Sequence, residues 1–124
     1  MSKVLLVEDT RDVGQVLSMA LEAEQHEVTT VATCQAARPI IAGGAIDLLI
    51  TDVLLPDCDA TSLANDAERR GIPYILITGD VATAMQLSSA GRKCLTKPFP
   101  LTVFMNEVEA QLAGHQSASG HQSP

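Results

Sequence analysis

The sequence has few aromatic residues: Phe99, Phe104 and Tyr74 are the only three in 124 residues, and there is no Trp. A core built by this chain must therefore be aliphatic, since hydrophobic residues still make up 46% of it. No apolar run is long enough to span a bilayer, and no basic segment with a long apolar stretch opens the chain. These absences argue against a membrane protein and against secretion, and they predict a cytoplasmic location.

Basic residues are also scarce, with eight Lys and Arg against fifteen Asp and Glu and a formal net charge of −7. Because a phosphate backbone is bound by Lys and Arg, this balance argues against direct contact with nucleic acid. An acidic chain suits a site that gathers carboxylates and neutralises them with a bound cation. An excess of acid that only improves solubility is the simpler interpretation of the charge alone.

Cysteine is limited to Cys34, Cys58 and Cys94, an odd number of widely separated residues. No C-x-x-C pair or zinc-ligand spacing occurs among them. The pattern predicts reduced thiols rather than a disulfide framework.

The 124 residues suit a single domain in which strands and helices alternate. Continuous apolar runs are typical of strands covered on both faces, as in a parallel sheet; they occur at 4–7, 48–50 and 74–77, with weaker candidates at 27–31 and 92–95. Helical periodicity is clear from Val13 to Leu21 and weaker at 33–42, 60–70, 80–90 and 101–113. Five β/α repeats predict an α/β doubly wound sandwich. Residues 1–113 form the predicted domain, and the Gly/Ser/Gln-rich segment 114–124 is predicted to be a disordered tail.

Polar residues follow the predicted strands at their carboxyl ends, where ligands bind in such folds. Glu8-Asp9 follow the first strand, Asp52 the third, Thr78 the fourth and Lys97 the fifth. Adjacent carboxylates repel one another, and Mg²⁺ is the natural cation for oxygen ligands. The set predicts a carboxylate nucleophile that forms an aspartyl-phosphate. Each residue alone is explained as well by a cap, a turn or a surface loop; the joint pattern is the specific signal.

The segments VLLVEDT (4–10), LLITDVLLPD (48–57), ILITGD (75–80) and LTKPF (95–99) resemble the receiver domain of bacterial two-component response regulators. The resemblance covers roughly residues 3–113. It implies a flavodoxin-like (βα)5 sandwich whose parallel five-stranded sheet has the order 2-1-3-4-5. It also implies a phosphoacceptor that catalyses only its own phosphorylation and dephosphorylation and is not otherwise an enzyme.

The resemblance assigns a role to each residue at the strand ends. Asp52 matches the phosphoacceptor, Asp9 a direct Mg²⁺ ligand and Glu8 an acid that reaches the metal through water. The carbonyl of Leu54 matches the backbone ligand of the metal. Thr78 matches the switch hydroxyl, and Lys97, before a Pro98 that is typically cis in the family, matches the Lys that pairs with the phosphate.

The sequence departs from the family pattern at several positions. Cys94 stands where the family usually has the Tyr or Phe that rotates with the switch Thr, so we expect the signal to pass through the loop after Thr78. Ala60 replaces a common Gly, which predicts a different turn there. Segment 81–90 has no charge, so a charged dimerisation face finds little support. Leu54 and Asp80 flank the expected path of water, and the apolar Leu predicts slow to moderate dephosphorylation.

The expected partners are a sensor histidine kinase or a histidine phosphotransfer protein, met by the first helix and the loop 98–100, and a downstream protein target. Two other functions stay open. A phosphatase of the haloacid dehalogenase type needs a second Asp two residues after the nucleophile, where this chain has Leu54. A pseudo-receiver, a structural interaction module with atypical switching, is kept open by Cys94.

Overall fold

A computed structural model describes residues 2–121, and the side chains of residues 2–114. That part of the chain contains seven strands and five helices. The strands are β1 Lys3–Val7, β2 Glu27–Val31, β3 Leu48–Asp52, β4 Leu54–Leu55, β5 Cys58–Asp59, β6 Tyr74–Thr78 and β7 Cys94–Thr96. The helices are α1 Arg11–Ala23, α2 Cys34–Gly43, α3 Thr61–Arg69, α4 Val81–Ser89 and α5 Leu101–His121.

Five strands form one parallel sheet in the order β2-β1-β3-β6-β7, while β4 and β5 form a separate antiparallel hairpin. Counting only the strands of the large sheet, the order is 2-1-3-4-5, so the predicted flavodoxin-like sandwich is confirmed. The chain leaves β1 toward β2 on one side and returns to β3 on the other. The carboxyl ends of β1 and β3 therefore border the crevice where this class of fold binds ligands.

Apolar residues lie on both faces of the sheet because successive side chains of a strand point in opposite directions. In β1, Val4 and Leu6 pack on the side of α1 and α5, against residues such as Leu17 and Phe104. Leu5 and Val7 pack on the side of α2 and α3. This double burial is why the strands are continuously apolar rather than alternating.

Two element limits differ from the sequence-based expectation. The last strand begins at Cys94 rather than at residue 92, and α5 extends past residue 113 to His121. The domain limit at 113 and the disordered tail at 114–124 stay predictions, and residues 122–124 of that tail lie outside the described residues. Among residues 2–121, no helix combines the length and apolar character that crossing a membrane requires.

Candidate functional site

The side chains singled out from the sequence follow strands that end at one edge of the parallel sheet. Glu8-Asp9 come directly after β1, Asp52 ends β3 and Thr78 ends β6. Lys97 follows β7, and its backbone N–H donates to the carbonyl of Thr78 at 2.8 Å. The common edge exists because all five strands are parallel and in register.

Lys97 joins the acidic residues of this edge. Its Nζ donates to Oε1 of Glu8 at 2.9 Å and lies 3.0 Å from Oδ1 of Asp52. The side chains of Glu8 and Asp52 are only 1% and 8% exposed, whereas that of Lys97 is 29% exposed. Two carboxylates therefore share one ammonium group in a nearly dry pocket, where charge interactions are stronger than in water.

The environment raises the pKa of Asp52 to about 8, from an ordinary value of 3.8. Burial is the largest cause, followed by the hydrogen bond and the negative charge of Glu8, while Lys97 acts in the opposite direction. Burial and the neighbouring Glu8 therefore favour the protonated form of Asp52 in the metal-free protein. A carboxyl group with so displaced a pKa, in a cleft beside a specific charge partner, is typical of functional sites.

The pKa of Glu8 moves the other way. Burial alone would raise it, but hydrogen bonds with Asp52, Lys97 and the backbone N–H of Thr10 lower it overall. The pKa of Lys97 is raised, since its bonds to the two carboxylates outweigh the effect of burial. The N-cap of α1 is Thr10 rather than Glu8 or Asp9, so the alternative that this acidic pair caps the helix is wrong.

The site has the ligand set that a hard divalent cation prefers. Carboxylate oxygens of Glu8, Asp9 and Asp52 lie within 4.8 Å of one another. Oδ1 of Asp52 is buried and accepts no hydrogen bond from residues 2–114, although the ammonium of Lys97 lies 3.0 Å away as an ion-pair partner. A metal could take this oxygen as a ligand without displacing a hydrogen bond. The residues present therefore fit Mg²⁺, which takes carboxylate, carbonyl and water oxygens.

Thr78 is tied to the start of α4. Its hydroxyl accepts a hydrogen bond from the backbone N–H of Asp80 at 3.1 Å. The carboxylate of Asp80 in turn accepts from the N–H of Thr83 at 3.1 Å and caps the helix. A movement of the Thr78 hydroxyl would therefore disturb the first turn of α4. The carboxylate of Asp80, which was expected to flank the path of water, therefore already takes part in this cap.

The β4–β5 hairpin lies in the loop after Asp52 and was not predicted from the sequence. Leu54 pairs with Asp59 and Leu55 with Cys58, around a turn made of Pro56 and Asp57. A Pro-Asp pair between two short segments is a turn signal that could have revealed it. Leu54 is the most exposed large apolar side chain of the described residues, at 79%.

Ala60 ends this loop with φ −75° and ψ 2°, a conformation open to any residue. A glycine is therefore not required there. Ala60 is fully buried, and its N–H donates to the carbonyl of Val53 at 2.6 Å. This bond closes the loop beside Asp52.

The prediction of reduced thiols is wrong for two of the three cysteines. Cys34 and Cys58 form a disulfide, with Cα atoms 6.2 Å apart. Their separation of 24 residues gave no hint of pairing, because the packing of α2 against the hairpin brings them together. Cys94 is free and half-buried; burial raises the pKa of its thiol, and its Sγ lies 3.8 Å from the carbonyl oxygen of Leu95.

Comparison with known proteins agrees with this geometry. Residues 4–109 match the family model described as the response regulator receiver domain. The chain is 32% identical to the response regulator receiver protein CpdR of Brucella abortus, over 90% of this chain and 98% of that protein. Several other curated relatives are longer, and the chain spans 23% to 57% of their length.

Solved structures show the same fold. The receiver domain of the hybrid histidine kinase CckA is 31% identical with a TM-score of 0.74, over 89% of this chain and 98% of that one. A CheY-like receiver domain protein from Methanospirillum hungatei is 23% identical, with a TM-score of 0.84 over 95% and 98% of the two chains. The sequence similarity, the sheet order and the acidic edge all agree with the same family. The chain belongs to the response regulator receiver domain family.

Proposed function

We propose that the chain is the phosphoacceptor of a two-component phosphorelay in the cytoplasm. Asp52 would accept a phosphoryl group from the His of a sensor kinase or phosphotransfer protein, with Mg²⁺, and the modified chain would signal by binding another protein. The main support is the position of the Asp52 carboxylate, buried at the sheet edge between Glu8 and Lys97. That the related CckA domain comes from a hybrid histidine kinase also supports a histidine donor.

The transfer is a displacement at phosphorus. A carboxylate oxygen of Asp52 attacks, a P–O bond forms, and the P–N bond to the donor imidazole breaks. The electron pair of the broken bond stays with the imidazole nitrogen, which takes a proton from solvent. Such transfers depend mainly on positioning and charge stabilisation, so the residues around Asp52 need not include a general base.

Each neighbour of Asp52 has a separate task. Mg²⁺, when bound by Asp9, Asp52 and the carbonyl of Leu54, with Glu8 reaching it through water, supplies positive charge against the phosphoryl oxygens. Lys97, in contact with Glu8 and Asp52, would supply a second positive charge. The hydroxyl of Thr78 exchanges its bond with the N–H of Asp80 for one to a phosphoryl oxygen.

The competing functions have weaker support. A haloacid dehalogenase-type phosphatase needs a general acid at position 54, where Leu54 has no proton to give. A pseudo-receiver would not need the intact acidic set with its buried lone pair on Asp52. Receiver domains are signalling modules, and this set of residues suits one that is phosphorylated.

An apolar groove suits the protein donor. It has a volume of about 390 Å³ and runs between α1 and the segment after Lys97. We call it the donor groove; its apolar lining residues are Val13, Val16, Leu17, Pro98, Phe99 and Leu101. Val16 and Leu101 are 49% and 43% exposed. Lys97 also lines the groove, so a protein docked there would present its His close to the acidic site.

The proposal is tested by incubating the full chain with Mg²⁺ and acetyl phosphate and measuring the adduct by intact-protein mass spectrometry. We expect a single phosphoryl group with the stability of an acyl phosphate, stable in acid and lost in base. Chelation of the metal with EDTA should prevent its formation. Asp52→Asn should remove the adduct, whereas Asp66→Asn, which removes a half-buried carboxylate of α3, should retain it.

Two results would contradict the proposal. One is the absence of an adduct on the wild type, and the other is an adduct that survives in Asp52→Asn. Sustained hydrolysis of phosphate monoesters would favour the phosphatase instead.

A further inference from the structure

We propose that Cys34 and Cys58 form a reversible disulfide that regulates metal binding in the loop after Asp52. Cys34 is the first residue of α2, and Cys58 is the first residue of β5. Their Cα atoms lie 6.2 Å apart, within the usual range for a disulfide. The bond joins an element that takes no part in phosphoryl chemistry to the hairpin that contains Leu54.

The two cysteines stay close when the bond is open, because Asp57 fastens the same hairpin to the same helix. One carboxylate oxygen of Asp57 accepts from the N–H of Cys34 at 2.8 Å, and the other accepts from the N–H of Gln35 at 2.9 Å. Groups held side by side have a high effective concentration toward each other. We therefore expect the bond to open and close within the native fold.

The exposures of the two residues suggest the order of reaction. Cys34 is only 2% exposed, whereas Cys58 is half-buried and can be reached by a small molecule. The oxidant is a low-molecular-weight disulfide. The thiolate of Cys58 attacks one of its sulfurs and expels the other half as a thiolate.

The thiolate of Cys34 then attacks the sulfur of Cys58 and expels the second half as a thiolate. Two protein thiols lose two protons and two electrons, and the small disulfide becomes two thiols.

The bond can affect the metal through the hairpin pairing. Cys58 lies opposite Leu55, next to Leu54, whose carbonyl is the proposed backbone ligand. Fixing Cys58 against α2 restricts the hairpin before the metal arrives, so less conformational entropy is lost on binding. The oxidised chain should bind Mg²⁺ more tightly. By thermodynamic linkage, Mg²⁺ must then favour the disulfide by the same factor.

This coupling rests on the proposed Mg²⁺ site, whereas formation of the bond does not. The full chain is equilibrated with mixtures of reduced and oxidised dithiothreitol, with and without Mg²⁺. Free thiols are then alkylated and counted by mass spectrometry. Mg²⁺ affinity is measured separately on the fully oxidised and fully reduced chain by calorimetric titration.

We expect the disulfide fraction to follow the dithiothreitol ratio and Mg²⁺ to shift the midpoint by about fivefold toward the disulfide. The Kd for Mg²⁺ should differ between the two forms by the same factor. Cys58→Ser should lose the redox dependence, and Cys34→Ala provides a second variant in case one of them folds poorly. Cys94→Ser, which alters the remaining cysteine, should behave as the wild type.

The possible failures can be told apart. The absence of a bond between Cys34 and Cys58 at every dithiothreitol ratio overturns the proposal. Equal Mg²⁺ affinity in both redox forms overturns the coupling. If Mg²⁺ binds neither redox form, the proposed function is contradicted and the coupling is rejected with it. The thiol count then still decides whether Cys34 and Cys58 are redox-active.

Discussion

At the scale of single residues, the charge balance around Asp52 creates a conflict in the metal-free protein. Glu8 and Asp52 compete for the single ammonium of Lys97, and the pocket is too dry for water to separate their charges. The proton held by Asp52 relieves the conflict at neutral pH. A divalent cation would relieve it instead by replacing that proton.

The first prediction concerns pH and stability. The pKa of Asp52 in the folded protein, about 8, lies above its ordinary value of 3.8. Between these pH values the folded chain holds a proton that the unfolded chain has released. The contribution of this proton to the free energy of unfolding is complete below pH 3.8 and is lost as pH rises through 8. Metal-free protein should therefore be less stable at pH 9 than at pH 6, by roughly 1 kcal/mol or more.

Urea unfolding at the two pH values measures this loss. Asp52→Asn cannot ionise and should lose much less stability, and saturating Mg²⁺ should largely remove the loss in the wild type. If the free energy of unfolding changed with pH by the same amount in the wild type and in Asp52→Asn, the titration of Asp52 would not be linked to folding.

The second prediction concerns the lifetime of the phosphoryl group. The side chain of Leu54 is 79% exposed, two residues after Asp52, where it can hinder an approaching water molecule. Leu54→Asn replaces it with a group that can hydrogen-bond that water. It should speed phosphoryl loss roughly 3- to 10-fold, which is what about 0.7 to 1.4 kcal/mol from one hydrogen bond in the transition state would give. The rate is followed after removal of the phosphodonor. Leu101→Asn, a second exposed Leu, should leave it unchanged; no acceleration in Leu54→Asn would end this explanation.

At the scale of elements, the strands were predictable where burial on both faces imposes a continuous apolar run. The runs at 4–7, 48–50 and 74–77 mark β1, β3 and β6 correctly to within a few residues. The edge strand β7 is only three residues long and half-buried throughout, so its sequence contains less of that signal. The hairpin was missed because two-residue strands are too short for any periodicity to show.

The third prediction concerns the connection from Thr78 to α4. Moving the Thr78 hydroxyl to a phosphoryl oxygen breaks its bond with the N–H of Asp80, which starts and caps the helix. Thr78→Ala should still accept a phosphoryl group at Asp52 but lose most of the change in α4. Amide chemical shifts of residues 81–89, recorded before and after phosphorylation, measure that change.

Cys94→Ala tests the alternative that the signal passes through β7. The thiol is small and half-buried, so the variant should keep the wild-type shifts of α4. If Cys94→Ala lost the change while Thr78→Ala kept it, the signal would run through β7 and not through the loop after Thr78.

At the scale of the whole molecule, topology explains what the sequence could and could not predict. Residues that follow parallel strands meet at one edge once the alternation of strands and helices is recognised, so Glu8, Asp52 and Lys97 were found together. The pairing of Cys34 with Cys58 depends on how α2 packs against a loop from the next β/α unit. No local pattern encodes such a contact. The same holds for the bonds from Asp57 to the N-terminus of α2.

The donor groove supplies the last prediction, because it separates phosphorylation by a protein from phosphorylation by a small molecule. Val16 is 49% exposed on the groove wall, so Val16→Asp should leave the fold intact. An added carboxylate there opposes docking of an apolar surface, and transfer from a phosphorylated histidine phosphotransfer protein should fall by roughly tenfold, the effect of about 1.4 kcal/mol of lost binding. Acetyl phosphate is too small to need the groove and should label the variant at the wild-type rate. Val103→Asp, an equally exposed Val of α5 outside the groove lining, is the control for added charge. If Val16→Asp and Val103→Asp slowed transfer from the phosphotransfer protein equally, the cause would be net charge. If Val16→Asp slowed labelling by acetyl phosphate as much as transfer from the protein, the defect would lie at Asp52 itself.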